Sequence, residues 1–362
     1  MLTSAQRGAV EHSGGPLLVL GAAGTGKTTA LVERFARLAE SARPEAVLAL
    51  TVGEAAADAL RQRLEDRLAT AYEELAVTTF GGLCARLLRD EALEAGVDPF
   101  ASPVSAADRL AMLLERIDEL PLRHHDLRGN PSATLGAIVR RIDRLKEELI
   151  SAGDYAAWAK TLPEDARGAR EREFAALYAA HDSFLAEGGA LDAGDLVLRA
   201  FQLLRTKPHV RARLAERHRH VLVDELQDTS FAQGLLLRLL VSAHGGIAAF
   251  ADDDQAVHRF RGAATKNIRD FRAEWPQATV LRLETSLRSG ARVLAAARAV
   301  VEPVEDRLDK AVTPLDGAPE GEVTFWRCAS ERAQAQAVAA DVERLLARED
   351  VAPEDVVFDP AG

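Results

Sequence analysis

The chain has 362 residues, 48% hydrophobic and 28% charged, the composition of an ordinary globular protein with room for two or three domains. No apolar run approaches the length that spans a bilayer, and the stretch from Met1 to Gly15 has no apolar signal core, so nothing directs export. The net charge of −11 argues against binding nucleic acid by bulk charge, though it leaves room for a local groove that grips a strand.

Two cysteines, Cys84 and Cys328, stand far apart and in no C-x-x-C pair. They read as small buried hydrophobes in a reducing cytoplasm, which is the expected location.

In chain order, the first candidate is Gln6, which fits two readings: an amide that reads an adenine edge, or a surface residue of a capped helix. Leu17 to Leu20 is then a short buried strand. It leads into Gly21-Ala22-Ala23-Gly24-Thr25-Gly26-Lys27-Thr28, which matches G-x-x-x-x-G-K-[ST] at every fixed position. The residues after it are apolar at Leu31, Phe35 and Leu38, which is helical spacing. Strand, glycine loop and helix make a phosphate site: glycines let backbone N–H groups turn inward, and the helix N-terminus adds partial positive charge. Lys27 then reaches the β- and γ-phosphates, and the Thr28 hydroxyl suits Mg²⁺.

Residues 47–51 read as a second strand, Glu54 to Leu68 as a helix, and Leu75 to Phe80 as a third strand run ending at Gly81-Gly82. Strand–helix–strand repetition predicts a parallel sheet covered by helices. From about Leu83 to Leu191 strand-like runs vanish and helical patterns broken by prolines dominate, which predicts an inserted all-helical domain. Arg140, Arg141, Arg144 and Lys146 would give it a basic face. From Arg86 to Glu187, however, 14 Arg/Lys face 19 Asp/Glu, which favours a solvated helix surface over a DNA patch. His124-His125 and His218-Arg219-His220 lack metal-ligand partners at suitable spacing and read as packing or solvent residues.

Strand character returns at His220 to Val223, followed by Asp224 and Glu225. Asp224 suits a Mg²⁺ contact and Glu225 the general base that orients and deprotonates an attacking water. The strand Ile247 to Ala251 leads into Asp252-Asp253-Asp254-Gln255, where Gln255 is placed to sense a γ-phosphate; His258 and Phe260 offer faces for stacking bases. Further strands are expected at Val280 to Leu283, Glu322 to Arg327 and near Val356, and helices at Ala291 to Val301 and Arg332 to Arg348.

The ordered set Gln6, GAAGTGKTT, TTFGGLCARLL, VLVDELQDTSFAQ, ADDDQAVHRFRGA and LETSLRS resembles the UvrD/Rep/PcrA-type superfamily 1 helicases, with a lean toward actinobacterial UvrD-like or RecB-like members. The resemblance covers essentially the whole chain but only the first part of a typical member. It implies a RecA-like P-loop parallel-sheet domain (1–85 and 191–290), an inserted helical accessory domain (86–190) and the beginning of a second RecA-like domain (291–362). It also implies ATP and Mg²⁺ as cofactors and single-stranded DNA, or DNA with a single-stranded end, as partner, and leaves a nuclease or repair partner open.

By that resemblance the nucleotide-binding set is Gln6, Gly21, Ala22, Ala23, Gly24, Thr25, Gly26, Lys27, Thr28, Thr29, Arg34 and Gln227, with Mg²⁺ on Thr28 and Asp224. Glu225, Gln255 and Arg288 form the catalytic set, Arg288 stabilising transition-state charge. Thr51, Thr79, Phe80, His258 and Phe260 are the expected DNA contacts. Departures from the family pattern fall at Leu287, where an aromatic usually stacks on adenine, at Gly81, at Val52-Gly53-Glu54, and at His258, which stands for tyrosine. The family's later motifs have no counterpart before Gly362, so the expected activity of this chain alone is weak. The alternative expectation is a nucleotide-dependent DNA- or partner-binding regulatory module that does not translocate. A small-molecule P-loop kinase does not account for the VDELQDT and DDDQAVHRFRGA runs.

Overall fold

A strand that is apolar at every position needs cover on both faces, and the strands predicted here get it. The computed structural model describes residues 2–68, 75–125, 129–255, 266–304, 307–308, 310–348 and 351–357. Among them the strands are, in chain order, β1 (Leu17–Gly21), β2 (Val47–Thr51), β3 (Val77–Thr79), β4 (Ser102–Pro103), β5 (Ala190–Leu191), β6 (His220–Val223), β7 (Ile247–Ala251), β8 (Thr279–Leu283), β9 (Thr285–Ser286) and β10 (Thr313–Pro314). Six of them make one parallel sheet in the order β3-β2-β6-β7-β1-β8.

Side chains alternate across this sheet with period two. Leu18, Leu20, Leu48, Leu50, Val221 and Val223 face one core, shared with the helices Phe80–Asp90, Ala193–Thr206 and Phe231–Val241. Leu17, Val19, Val47, Ala49, Leu222 and Phe250 face the other, under the helices Ser4–Glu11, Lys27–Ser41 and Glu54–Leu68. Each fully buried Leu, Val or Phe contributes about 1.5–3 kcal/mol. Two full faces are therefore what hold the sheet and the loops at its edge. An α/β architecture with a parallel sheet is the fold class the strand–helix alternation predicts.

A third cluster, Leu113, Leu135, Ile138, Ile142, Tyr155, Phe174 and Tyr178 among its members, is built mainly from helices and contains no strand residue. The chain enters and leaves this helical layer where β4 pairs with β5, Ser102 opposite Ala190. Beneath it lies a buried ionic network. Lys146 Nζ is 2.7 Å from Asp192 Oδ2, 2.8 Å from Asp195 Oδ1 and 3.0 Å from Asp182 Oδ1. Arg109 Nη1 is 3.0 Å from the same Asp192 oxygen and 2.8 Å from Asp143 Oδ1. A solvated basic face is thus correct for Arg140 and Arg144, which are exposed, but not for Lys146, which is fully enclosed.

Three local expectations are corrected. Phe80 does not end a strand: the Thr79 hydroxyl accepts the Gly82 N–H and caps a helix that starts at Phe80, so Gly81 and Gly82 lie in its first turn. Residues 322–327 form no strand, and neither does the stretch around Val356. A strand needs a neighbour for its N–H and C=O groups, and none pairs with either stretch among the described residues. No helix among the described residues is long and apolar enough to cross a membrane.

Candidate nucleotide site

Because β6, β7 and β1 are neighbours and parallel, the loops that follow them meet at one edge of the sheet. This is the carboxyl edge, where open α/β sheets hold ligands. The loop after β1 turns through Gly24 and Gly26, both at φ +77°, a region that a side chain rarely adopts. A Cβ on Gly26 would stand 2.3 Å from the Gln6 amide nitrogen, and one on Gly24 would stand 2.9 Å from Arg288 Cβ.

Lys27 is buried, with Nζ 3.1 Å from the Gly21 carbonyl and 3.6 Å from Glu225 Oε2. The Thr28 hydroxyl donates to Asp224 Oδ2 at 3.3 Å. The other oxygen, Asp224 Oδ1, is buried without a hydrogen-bond partner among the described residues. Burial, together with the neighbouring Glu225 charge, pushes the Asp224 carboxyl up to about 6. A buried carboxylate short of a partner, beside a threonine hydroxyl, is what a hard divalent cation with oxygen ligands requires, so these residues fit Mg²⁺.

Glu225 takes a left-handed backbone conformation, φ +50°, which costs a non-glycine residue about 1–3 kcal/mol and points to a geometry imposed by the site. Its Oε2 accepts from Gln227 Nε2 at 2.7 Å, while Oε1 has no hydrogen-bond partner among the described residues. Gln227 is fully buried, and its Oε1 accepts the Asp252 N–H at 2.9 Å. Gln255 donates to Asp252 Oδ2 at 2.5 Å. The structure therefore brings Glu225, Gln227 and Gln255 into one hydrogen-bonded group.

Gln6 is buried, which excludes the surface reading. Its Nε2 donates to the Thr25 carbonyl at 2.9 Å and its Oε1 accepts the Thr3 N–H at 2.9 Å. One N–H and one carbonyl lone pair remain on the amide. The Leu287 N–H donates to the Gly24 carbonyl at 2.8 Å, which docks the segment carrying Arg288 onto the glycine loop. The Thr29 hydroxyl accepts from Arg63 at 3.0 Å. A cavity of about 530 Å³ opens between Ala22, Ala23, Asp252, Gln255, Arg288 and the helix Ala291–Val301.

Two expected site residues lie elsewhere. Arg34 Nη1 donates to the carbonyls of Ala9 and His12 at 2.9 and 2.8 Å. It caps the carboxyl end of the helix Ser4–Glu11, and it lines a cavity with Gly245 and Gly246 at the opposite, amino-terminal edge of the sheet. Phe80 is 1% exposed and packs in the sheet core, so no base can stack on it. Thr51 and Thr79 are buried at the carboxyl ends of β2 and β3, and the Thr79 hydroxyl donates to Glu54 Oε1 at 2.8 Å. His258 and Phe260 lie outside the described residues.

The sequence reading missed the groups that hold the acidic loop after β7. Lys310 Nζ lies 2.5 Å from Asp252 Oδ1 and 3.0 Å from Asp254 Oδ2, and it also pairs with Asp253. Burial by itself would lower the Lys310 ammonium, but Asp252 and Asp253 hold it above its usual value. Arg307 forms a two-point contact with Asp254 at 3.0 and 2.9 Å. No motif marks either residue.

The chain is similar to known proteins over most of its length. Residues 2–276 match the family model described as UvrD/REP helicase N-terminal domain. DNA helicase II of Escherichia coli (strain K12) is 32% identical over 330 residues, covering 91% of this chain and 44% of the relative. ATP-dependent DNA helicase UvrD1 of Mycobacterium tuberculosis (strain H37Rv) is 32% identical over 367 residues, covering 98% and 46%. ATP-dependent DNA helicase PcrA of Leuconostoc citreum is 28% identical over 347 residues, covering 95% and 44%. The chain spans about half the length of these curated relatives. With three quarters of its residues inside the matched region and the loops of that region gathered at one sheet edge, the chain belongs to the UvrD/REP helicase N-terminal family.

Proposed function

We propose that this chain is an ATP-driven motor segment of a DNA helicase acting in the cytoplasm, binding ATP with Mg²⁺ and engaging single-stranded DNA. The observation that carries the reading is the meeting of the Gly21–Thr28 loop, Asp224-Glu225 and Gln255 at one sheet edge, with Asp224 Oδ1 buried and unpartnered among the described residues. Thr28 and Asp224 would hold the cation. Mg²⁺, when bound, neutralises phosphate charge as it develops. Glu225, with Oε2 fixed by Gln227, presents Oε1 to orient a water and take its proton. Arg288, docked over Gly24, supplies positive charge to the γ-phosphate. Gln6 uses its remaining N–H and lone pair on an adenine edge, and the half-exposed Leu287 side chain offers the base an apolar surface.

The division into a motor domain (1–85 and 191–290), a helical insertion (86–190) and the start of a second domain (291–362) is supported by the separate helical cluster and by the β4–β5 pair at its stem. The helix Phe80–Asp90 packs on the sheet as one piece, which favours an insertion beginning after Asp90. Single-stranded DNA would lie across the carboxyl edge near Thr51 and Thr79, with His258 and Phe260 as stacking candidates. Turnover by residues 1–362 alone is expected to be slow, since a second arginine on the γ-phosphate is worth about 10³-fold or more.

The second reading, a module that binds without translocating, is favoured by the burial of Phe80 and by Glu54 at the DNA-facing edge. ATP hydrolysis with and without single-stranded DNA, beside a Glu225→Gln control, separates the two. DNA-stimulated turnover that the control abolishes supports the motor; ATP binding without stimulation supports the module. No ATP binding at all refutes both.

A further inference from the structure

A path of ion pairs and hydrogen bonds leads out of the site in a direction that none of its motifs marks. It starts at Lys27, 3.6 Å from Glu225 Oε2, and passes through Gln227 to the Asp252 backbone N–H. The Asp252 carboxylate, 1% exposed, divides its two oxygens: Oδ2 accepts from Gln255 and Oδ1 from Lys310. Lys310 is itself buried and touches all three consecutive aspartates. Its segment has a second hold on the site. Three residues on, β10 pairs with β9, and the residue after β9, Leu287, donates its N–H to Gly24 in the phosphate loop.

We propose that Lys310 is a positioning residue for hydrolysis: it fixes Asp252, and through Asp252 sets Gln255 and the Gln227–Glu225 pair. The inference rests on the nucleotide-hydrolysing reading above. Three adjacent carboxylates repel one another, and one as enclosed as Asp252 needs partners for its oxygens. Without Lys310, the Asp252 carboxylate loses its cation and turns toward water. That movement takes away the acceptor that holds Gln255 and shifts the backbone N–H that holds Gln227. Neither group touches the Gly21–Lys27 loop through this path except by way of Glu225, so nucleotide binding is spared while the hydrolytic geometry loosens. Arg307 pairs with the outer carboxylate, Asp254, and its loss leaves Asp252 with Lys310.

The test uses residues 1–362, with hydrolysis measured in saturating single-stranded DNA and nucleotide affinity measured with a fluorescent ATP analogue. Wild type and Glu225→Gln establish the parent activity. Lys310→Met is expected to lower kcat by on the order of ten- to a hundredfold, the scale of a misplaced catalytic group, with KM for ATP and analogue affinity changed by less than about twofold. Lys310→Arg is expected to restore most of kcat, and Arg307→Ala to keep it. Should Lys310→Met lose its folded circular dichroism, Asp252→Asn carries the same test, because it removes the carboxylate at the branch point while Lys310 keeps Asp253 and Asp254 as partners. Unchanged kcat in the folded variant overturns the proposal, as does an equal fall in kcat and affinity. A wild type with no hydrolysis sensitive to Glu225→Gln overturns the hydrolytic reading and this inference together; unchanged kcat on an active background overturns only the role of Lys310.

Discussion

Lys146→Met removes one positive charge from the buried network and little else, since methionine keeps nearly the same length and is tolerated in cores. Lys146 has no exposed surface and serves three carboxylates within 3.0 Å. After the change Arg109 still holds Asp192 and Asp143, so the loss falls on Asp195 and Asp182. Removing one partner of a buried ion pair costs about 3–5 kcal/mol. Protonation sets a ceiling on that cost. Burial and the neighbouring Asp192 already raise the Asp195 carboxyl, and without Lys146 it rises further. The folded variant then holds a proton that the unfolded chain releases, so its deficit shrinks as pH falls from 7 toward 5. Urea midpoints by circular dichroism at both pH values, for Lys146→Met, Asp195→Asn and the double variant, measure this. The double variant should recover at least half of the single loss. A loss below about 1 kcal/mol at pH 7, or strict additivity of the pair, refutes the argument.

Gly24→Ala puts a Cβ at φ +77° and 2.9 Å from Arg288 Cβ; it should cost about 1–3 kcal/mol of loop geometry and weaken nucleotide binding about tenfold or more, and unchanged affinity for a fluorescent ATP analogue would count against the docked loop. His218 is buried with Nδ1 3.0 Å from the Glu45 carbonyl, and burial followed by the Arg217 charge pushes it down from 6.5 to about 4. The unfolded chain binds the proton first, so up to about 3 kcal/mol of stability is lost as pH falls from 6.5 to 4, and His218→Gln should flatten that part of the stability curve. Cys84, which burial pushes up to about 12, should resist a thiol reagent until the protein unfolds, whereas half-buried Cys328 should react in the native state; equal labelling rates would show that Cys84 is reachable.

What the sequence made legible was whatever has a local cause. The apolar runs at 17–20, 47–51 and 220–223, the glycine loop and the helix Ala291–Val301 follow from neighbours a few residues apart, and each stands where its pattern puts it. Phe80 misled because valine, threonine and phenylalanine in a row satisfy strand preference, while the cap that starts a helix there is a single threonine hydroxyl. Arg34 misled for another reason: the family resemblance suggested a nucleotide contact on the helix after the phosphate loop, yet the partner that claimed it is the end of another helix. Residues 322–327 have strand composition, but composition supplies no neighbouring ladder. Lys310 was out of reach because its meaning depends on aspartates 56 to 58 positions earlier, brought beside it only by the fold. Gln227 shows the boundary case, a motif residue whose hydrogen bonds could not be read from the motif.

The placement of β1 between β7 and β8 sets an order of events for a chain made from its amino end. β2 and β3 are made close together and can pair at once. β1, made before either, waits for residues 247 to 283 before it has a neighbour on each side. At about 5–20 residues per second that is a delay on the order of ten seconds or more, during which an apolar strand has two open edges. The helical layer, complete by residue 187, can fold within that interval and bring the two distant parts of the sheet together through the β4–β5 stem. The phosphate loop is thus made well before the strands that flank β1 and takes its shape only after them.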